Sequence, residues 1–215
     1  KQHFNSITCT NETKAYSLLD HKACMASEDG MPVMNYWAAD KMVKWAQDNG
    51  LKVRGHVLVW DAYMNDWFFR VDYDPNKPYA DQKTMRARTR SYIEQVITHF
   101  EEKFPGVIYC WDVVNEAIAD NINEMDTKDG RHIRTSRSGK DNLFKTHLGD
   151  DYVEFAFLCA KDTVERLGAD IKLFYNDYSL FSTNKRQAAI FLIQSINSYA
   201  VDENGEYRKL CDGIG

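Results

Sequence analysis

Several polar residues in this sequence directly follow short apolar runs, and they include the side chains best suited to chemistry. The clearest pair is Asn115 and Glu116, which ends the run VIYCWDVV. An apolar approach disfavours the charged form of a carboxyl group and so keeps a proton available for a leaving group. The adjacent amide can hydrogen-bond a substrate hydroxyl without adding charge. We therefore interpret Glu116 as a candidate general acid, although a lone carboxylate of this kind is also typical of an ion-paired or solvated strand end.

The same arrangement recurs along the chain. The further polar groups are Asn11, Glu12 and Lys14 after FNSIT, His56 and Trp60 in LKVRGHVLVW, and Asn176 and Asp177 after IKLFY. Recurrence at four predicted strand ends favours one shared site, because parallel strands bring these ends together at one edge. Trp60, Trp67 and Trp111 offer apolar faces that suit either a sugar ring or plain core packing.

The elements that must position these residues are readable from the spacing of apolar side chains. Helices are predicted over 35–49, 81–104, 151–167 and 184–199, and strands over 4–8, 51–60, 107–115, 171–177 and 210–215. Alternating strands and helices, with strands apolar on both faces, predict an α/β fold with a parallel sheet covered by helices.

Two architectures fit this alternation, a (β/α)8 barrel and an open doubly wound sheet. No glycine-rich phosphate-binding motif follows any strand, which favours the barrel. A complete barrel takes about 250 residues, so residues 1–215 are predicted to form part of a single barrel, roughly strands two to six, without an internal domain boundary. The connection 117–149 is unusually long and is expected on the catalytic face.

Composition and net charge disfavour several classes of binding partner. The 27 basic residues are scattered among 32 acidic ones, the net charge is −5 and the pI is about 5.7, which disfavours nucleic acid or an acidic membrane as a partner. No apolar run approaches the roughly 18 residues of a membrane span. The sequence also lacks a compact cluster of histidines and carboxylates, so neither a metal nor another cofactor is expected. Most of the five cysteines are expected to be small buried hydrophobic residues.

Separated motifs resemble a known family over nearly the whole chain. The motifs WDVVNEAIAD, RGHVLVW followed by DWF, NETK, FYNDYS and CDGIG occur in the order and at the spacing of family 10 glycoside hydrolases, the endo-β-1,4-xylanases. The resemblance implies a (β/α)8 barrel that hydrolyses internal β-1,4 bonds of xylan or xylo-oligosaccharides with retention of configuration. Because a polymer cannot enter a cell, it also implies an extracellular, periplasmic or cell-surface location.

The resemblance assigns roles to single residues. Glu116 resembles the acid/base of the family, and Asn115 the amide that binds the 2-hydroxyl of the sugar under attack. By the same resemblance, Asn11 and Lys14 hold glycone sugars, while His56 and Trp60 line the subsite of the bond to be broken. Asn176, Asp177 and Tyr178 match a segment that supports the acid/base and the leaving-group side.

Retaining hydrolysis needs a second carboxylate, which this family carries in a strand beyond the DGIG motif. No matching motif occurs in the 215 residues. We therefore expect a longer polypeptide that supplies the nucleophile, and it could include further carbohydrate-binding modules. The alternative is a catalytically silent barrel that binds polysaccharide.

The glycone side departs from the family pattern. Thr10 replaces a glutamate, and Asp61 and Tyr63 replace a histidine and a glutamine near the same subsites. These changes predict an altered preference for side-chain decoration or glycone length. A related β-glycosidase acting on short or decorated oligosaccharides is therefore a further alternative.

Overall fold

The computed structural model describes residues 3–215 as a twisted parallel sheet covered by helices. Its strands are β1 (Ser6–Thr8), β2 (Lys52–Val59) and β3 (Ile108–Asn115), a short antiparallel hairpin of β4 (Ser136–Arg137) and β5 (Lys140–Asp141), and then β6 (Lys172–Asn176) and β7 (Gly213–Ile214). The main sheet has the order β1-β2-β3-β6-β7, and all its neighbouring strands are parallel. The five predicted strands are thus confirmed, the last reduced to two residues. Lys1 and Gln2, at the start of the predicted domain range, lie outside the described residues.

The helices lie in the connections between strands. They are α1 (Ala15–Leu18), α2 (His21–Met25), α3 (Trp37–Asp48), α4 (Gln82–Lys103), α5 (Leu143–Leu148), α6 (Tyr152–Leu167) and α7 (Thr183–Asn197). The four predicted helices correspond to α3, α4, α6 and α7, with each end within two residues of its predicted place. The short helices α1, α2 and α5 were not predicted, because four to six residues carry too little periodicity to be recognised.

Local signals set the limits of the long helices. α4 begins after Asp81, whose carboxylate accepts a hydrogen bond of 2.7 Å from the backbone nitrogen of Thr84. α6 ends at Gly168, which adopts a left-handed conformation with φ of 63°. Between these limits α4 and α6 each bury an apolar face and pack against each other beside β3.

A close approach inside the sheet explains one glycine. A side-chain carbon added to Gly55, in the middle of β2, would lie only 2.3 Å from Cε3 of Trp111 on β3. Only glycine therefore leaves room for this indole, which is completely buried. Trp111 is a core residue, and the expectation that it could offer a face to a sugar ring is wrong.

The long connection 117–149 is folded rather than irregular, since it contains the hairpin, α5 and a 3-10 helix at Ile122–Glu124. Arg134 is buried within it and donates hydrogen bonds to the backbone carbonyls of Glu116 (3.3 Å) and Ile118 (3.0 Å). These bonds tie the connection to the end of β3. The hairpin is consequently held near the carboxyl ends of the strands.

All five cysteines are buried, as the sequence led us to expect for most of them. No two of them form a disulfide. Over residues 3–215, no helix is both long enough and apolar enough to span a bilayer.

Candidate active site

A buried aspartate organises the polar groups at the ends of the strands. Asp112 on β3 accepts hydrogen bonds from Nε (3.0 and 3.1 Å) and Nη2 (2.6 Å) of Arg54 on β2. Its Oδ2 also lies 2.8 Å from Nδ1 of His56. With only 2% of its side chain exposed, Asp112 depends on these partners, because an unpaired buried charge is costly. The aspartate in turn fixes the ring of His56, a predicted site residue.

The same arginine sets the orientation of two amides. Nη2 of Arg54 donates to Oδ1 of Asn176 (3.0 Å), and Nδ2 of Asn176 donates to Oδ1 of Asn115 (2.7 Å). Because a guanidinium group only donates, Asn176 must present its oxygen to Arg54 and its nitrogen to Asn115. The Nδ2 group of Asn115 makes no hydrogen bond with any described residue, so it remains a donor for a ligand. We call Arg54, His56, Asp112, Asn115 and Asn176 the strand-end network.

Glu116 follows β3 in an uncommon backbone conformation. Its φ is 52°, in the left-handed region that side chains other than glycine rarely adopt. Its backbone nitrogen donates to the carbonyl of Asn176 (2.9 Å), and its own carbonyl accepts bonds of 3.3 Å from Arg134 and Arg137. These bonds hold the turn that directs the carboxyl group away from the strand, where 19% of the side chain is exposed.

An arginine that the sequence did not identify contacts this carboxyl group. Arg137 on the hairpin donates from Nη1 to Oε2 of Glu116 (3.0 Å) and from Nε and Nη2 to both oxygens of Asp61 (2.9 Å each). Burial opposes the charge on Arg137, but its bonds to Asp61 and Glu116 outweigh burial and raise the pKa of Arg137. We call Asp61, Glu116 and Arg137 the hairpin cluster. The apolar surroundings expected for Glu116 are therefore interrupted by a cation.

The predicted glycone residues, Asn11 and Lys14, lie close together in the connection after β1. Nζ of Lys14 donates to Oδ1 of Asn11 (3.1 Å) and lies 4.2 Å from the ring centre of Tyr63 and 5.1 Å from that of Trp60. Burial is the main cause of the lowered pKa of Lys14, and attraction to Glu116 partly offsets it. Trp60 in turn packs 5.8 Å from the ring of His56. Lys14, Trp60 and Tyr63 thus form a cationic and aromatic wall.

The remaining predicted residues follow β6. The side chain of Asp177 is buried; it accepts a hydrogen bond from the hydroxyl of Tyr175 and forms an ion pair with Nζ of Lys185 (2.9 Å). Tyr178 is 44% exposed and donates its hydroxyl hydrogen to Asp120, which also binds Lys185 (2.7 Å). Lys185 lies 3.6 Å from the centre of the Tyr178 ring. The sequence did not indicate Lys185 or Asp120, which link Asp177 to Tyr178.

A cavity of about 660 Å³ opens beside the hairpin cluster. The connection after β2 and the hairpin form its walls, with Asp61 and Arg137 on one side and Phe69, Tyr79 and Phe144 among its apolar and aromatic residues. Trp67, the third predicted sugar-facing tryptophan, stacks on His21 instead, with ring centres 4.2 Å apart. Over residues 3–215, no group of three or more histidine, cysteine or acidic side chains is arranged to hold a metal ion.

The side chains predicted to act in acid–base chemistry and sugar binding gather at the carboxyl ends of parallel strands, where barrel enzymes carry their active sites. The whole chain, residues 1–215, matches the model of glycosyl hydrolase family 10, and the chain belongs to this family. The resemblance of the sequence motifs to this family is confirmed.

Relatives named as xylanases share much of the sequence. A putative endo-1,4-beta-xylanase of Caldicellulosiruptor saccharolyticus is 41% identical over 94% of this chain, which covers 57% of that protein. Endo-1,4-beta-xylanase A of Thermotoga maritima is 36% identical over 100% of this chain, which covers 17% of that protein. The chain therefore spans between about a sixth and just over half of these relatives.

Solved structures agree on the fold. The CBM22-1 and GH10 modules of xylanase 10B of Clostridium thermocellum, complexed with xylohexaose, match with a TM-score of 0.80 and 28% identity, over 99% of this chain and 39% of that one. An intracellular xylanase of Thermoanaerobacterium saccharolyticum, in a mutant complex with xylotriose, matches with a TM-score of 0.74 and 30% identity, over 99% and 55%. The described strands and helices are thus part of a (β/α)8 barrel, as predicted.

Proposed function

We propose that the protein containing this chain hydrolyses internal β-1,4-xylosidic bonds of xylan, with retention of configuration. The observation that carries the proposal is the position of Glu116 beside the oriented amide of Asn115, at the end of β3 in a family 10 barrel. Relatives named as xylanases, and related structures complexed with xylo-oligosaccharides, support this substrate class.

The geometry suits a general acid/base. Glu116 protonates the glycosidic oxygen of the departing sugar and then, as a base, takes a proton from the attacking water. The unoccupied Nδ2 group of Asn115 donates to the 2-hydroxyl of the sugar under attack. Hydrogen bonds to this hydroxyl strengthen in the oxocarbenium-like transition state and, together with substrate distortion, stabilise it by several kcal/mol in such enzymes.

The surrounding residues divide the sugar chain between two sides. We propose that Asn11 and Lys14, which are joined by a hydrogen bond, hold glycone hydroxyls. His56 and Trp60 line the subsite of the cleaved bond, where their rings lie close together. Tyr178, which is 44% exposed, presents its ring to the leaving-group side.

Two predicted residues act through others in this proposal. Asn176 sets the direction of the Asn115 amide, and Asp177 is a buried counter-charge for Lys185. Lys185 then positions the ring of Tyr178.

We further propose that the nucleophilic carboxylate lies outside these 215 residues. In retaining glycosidases it stands about 5 to 5.5 Å from the acid/base. Asp61 is the other carboxylate joined to Arg137, but both of its oxygens accept hydrogen bonds from that arginine. A carboxylate held in this way is a poor nucleophile, so a longer polypeptide has to supply the attacking group.

The amino-acid differences near the predicted glycone subsites indicate that the enzyme prefers particular xylans. Tyr63 stands over Lys14 and packs 4.4 Å from the ring of Trp60, which narrows the space around the predicted glycone subsites. Both carboxylate oxygens of Asp61 accept hydrogen bonds from Arg137, and Thr10 is exposed. We propose an altered response to side-chain decoration or glycone length. Chromatography of products from plain and decorated xylans tests this, and the same products from both would remove the idea.

The setting of the enzyme is also a proposal. We propose one catalytic barrel spanning 1–215 without an internal boundary, supported by one continuous apolar core through the described residues. Because a polymer must be degraded where it can be reached, we propose an extracellular, periplasmic or surface location. Carbohydrate-binding modules elsewhere in the polypeptide would suit this role, and the Clostridium thermocellum neighbour contains one.

The test is Glu116→Gln in the enzyme of full length. Xylan hydrolysis should fall by roughly a hundredfold to ten-thousandfold, because the leaving group loses its proton donor. The first step on an aryl xyloside with an activated leaving group should be nearly unchanged, since that group leaves without protonation. Burst kinetics on the aryl substrate and reducing-end release from xylan measure the two effects.

Glu102→Gln, at an exposed position on α4, is the matched control and should keep full activity. Equal losses on both substrates would show that Glu116 is not the acid/base. A parent enzyme that binds xylan but releases no reducing ends would instead favour the catalytically silent barrel.

A further inference from the structure

We propose that Arg137, anchored by Asp61, is a positioning residue that fixes one oxygen of Glu116 and sets the upper pH limit of its action as an acid. The inference rests on the proposed role of Glu116. It concerns the link from Asp61 through Arg137 to Glu116 within the hairpin cluster, which no sequence motif assigned.

The geometry allows Arg137 little freedom. Its Nε and Nη2 groups grip both oxygens of Asp61 in a two-pronged bond, which leaves Nη1 for Oε2 of Glu116. Such fork-shaped pairs fix direction as well as distance. Oε1 of Glu116 accepts no hydrogen bond from any described residue. Arg137 thus occupies one oxygen and leaves the other for the leaving group.

The hairpin is a firm support for this arginine. Its strands pair Ser136 with Asp141 and Arg137 with Lys140, and the two turn residues Ser138 and Gly139 both have positive φ values, 50° and 78°. Two successive residues of this kind form the tight turn that matches the twist of paired strands. The backbone nitrogen of Ser138 is held by Oε1 of Glu124 (2.9 Å).

Charge connects this geometry to pH. A nearby cation favours the ionised form of a carboxyl group, and an ionised Glu116 cannot donate a proton. Asp61 opposes this effect because its negative charge, with only 6% of the side chain exposed, is shared with the same guanidinium. The cluster therefore balances the cation near Glu116 against a second carboxylate.

Other charged groups near Glu116 do not share this arrangement. Lys14 attracts Glu116 from the connection after β1, and Arg134 binds only its backbone carbonyl. Arg134 is itself paired with Asp120 and Glu124. Across the strands, His56 is paired with Asp112. Arg137 is the cation that donates directly to the carboxyl group in the described part of the chain.

The experiment measures kcat/KM against pH for xylo-oligosaccharide hydrolysis by the enzyme of full length. The alkaline limb reports loss of the proton on the free enzyme's acid. Arg137→Gln removes the cation, so the limb should move to higher pH by about one unit. Asp61→Asn leaves the cation unopposed, so the limb should move to lower pH. Arg137→Lys keeps the positive charge, so the alkaline limb of this variant should lie closer to that of the parent than the limb of Arg137→Gln does.

Lys140→Gln is the matched control, because it removes a positive charge from an exposed position on the same hairpin. Its limb should coincide with that of the parent. An unchanged limb in Arg137→Gln, or shifts in the same direction for Arg137→Gln and Asp61→Asn, would overturn the inference. A parent that does not hydrolyse the substrate would instead refute the proposed function, so the two failures are distinguishable.

Discussion

The strand-end network and the hairpin cluster both use an arginine and an aspartate beside the same Asn115 and Glu116 pair, but they are built differently. In the network, two of the pairs are register partners on neighbouring strands, His56 with Asp112 and Asn115 with Asn176. In the cluster, Asp61 and Arg137 come from two connections. In the function proposed above, the sheet thus fixes which hydroxyl group is recognised, while the connections adjust the conditions under which the acid works.

Burial separates the two regions as well. The side chain of Asp112, at the centre of the network, is 2% exposed and has three nitrogen partners, whereas the side chain of Glu116 in the cluster is 19% exposed and has one. Solvent can replace the lost partner of Glu116 but not the lost partners of Asp112. Loss of the Asp112 carboxylate should therefore destabilise the fold, whereas loss of the Glu116 carboxylate should affect function at nearly constant stability.

The largest effect on stability should come from Asp112→Ala. It leaves Arg54 and His56 without their shared acceptor, and breaking a buried charge pair of this kind costs about 3 to 5 kcal/mol. Glu116→Gln should cost less than about 1 kcal/mol, because the pair of Glu116 with Arg137 is partly solvated. Urea unfolding of both variants measures the difference. Equal losses would show that the two regions do not differ in the way described.

A smaller effect, confined to activity, is expected from Asn176→Asp. The new carboxylate can still accept from Arg54 but no longer donates to Asn115, which must then turn its nitrogen inward. Loss of the donor for the 2-hydroxyl should lower kcat/KM on the order of a hundredfold.

Steady-state kinetics on xylo-oligosaccharides measures this loss. Asn204→Asp, in an exposed turn, is the control and should be silent. If Asn176→Asp kept full activity, the direction of the amides would not matter for recognition.

The smallest expected effect is on the pH dependence of stability, and it comes from a histidine beside the cavity. His147 on α5 packs 4.3 Å from Tyr79, a wall of the cavity next to the hairpin cluster. Burial, with a further contribution from Arg70, lowers the pKa of His147 below its ordinary value of 6.5. The unfolded chain therefore takes up this proton first as pH falls, so stability is lost on acidification through 6.5 towards the lower folded value.

His147→Phe keeps an aromatic ring but cannot titrate. Its melting temperature should change less than that of the parent between about pH 7.5 and about pH 5.5. An identical change in both proteins would remove His147 as a cause of acid sensitivity.

The sequence predicted the sheet well because long periodic segments are reliable signals. Strand ends carrying Asn115, Glu116 and Asn176 could be identified, since a polar pair after a buried run marks the edge of the core. Arg54 and Asp112 were missed, although a signal existed. Each is a single charge inside an apolar strand, and two such charges on neighbouring strands must pair.

The hairpin cluster was beyond prediction for a different reason. Which carboxylate Arg137 reaches depends on the path of the connection 117–149, and no local periodicity encodes that path. Asp61 was recognised as unusual, but its partner was not. Lys185 and Asp120 follow the same rule, because their contact joins two segments with no shared pattern.

The buried cysteines can report how often different parts of the fold open. Burial raises the pKa of Cys110 on β3 to about 11 and that of Cys159 on α6 to about 12, so these thiols are almost wholly protonated near neutral pH and react slowly. A thiol reagent can react with them only when the sheet or the helix opens and exposes the sulfur. The order in which the thiols become labelled would therefore rank the parts of the fold by how often they open, without any introduced probe.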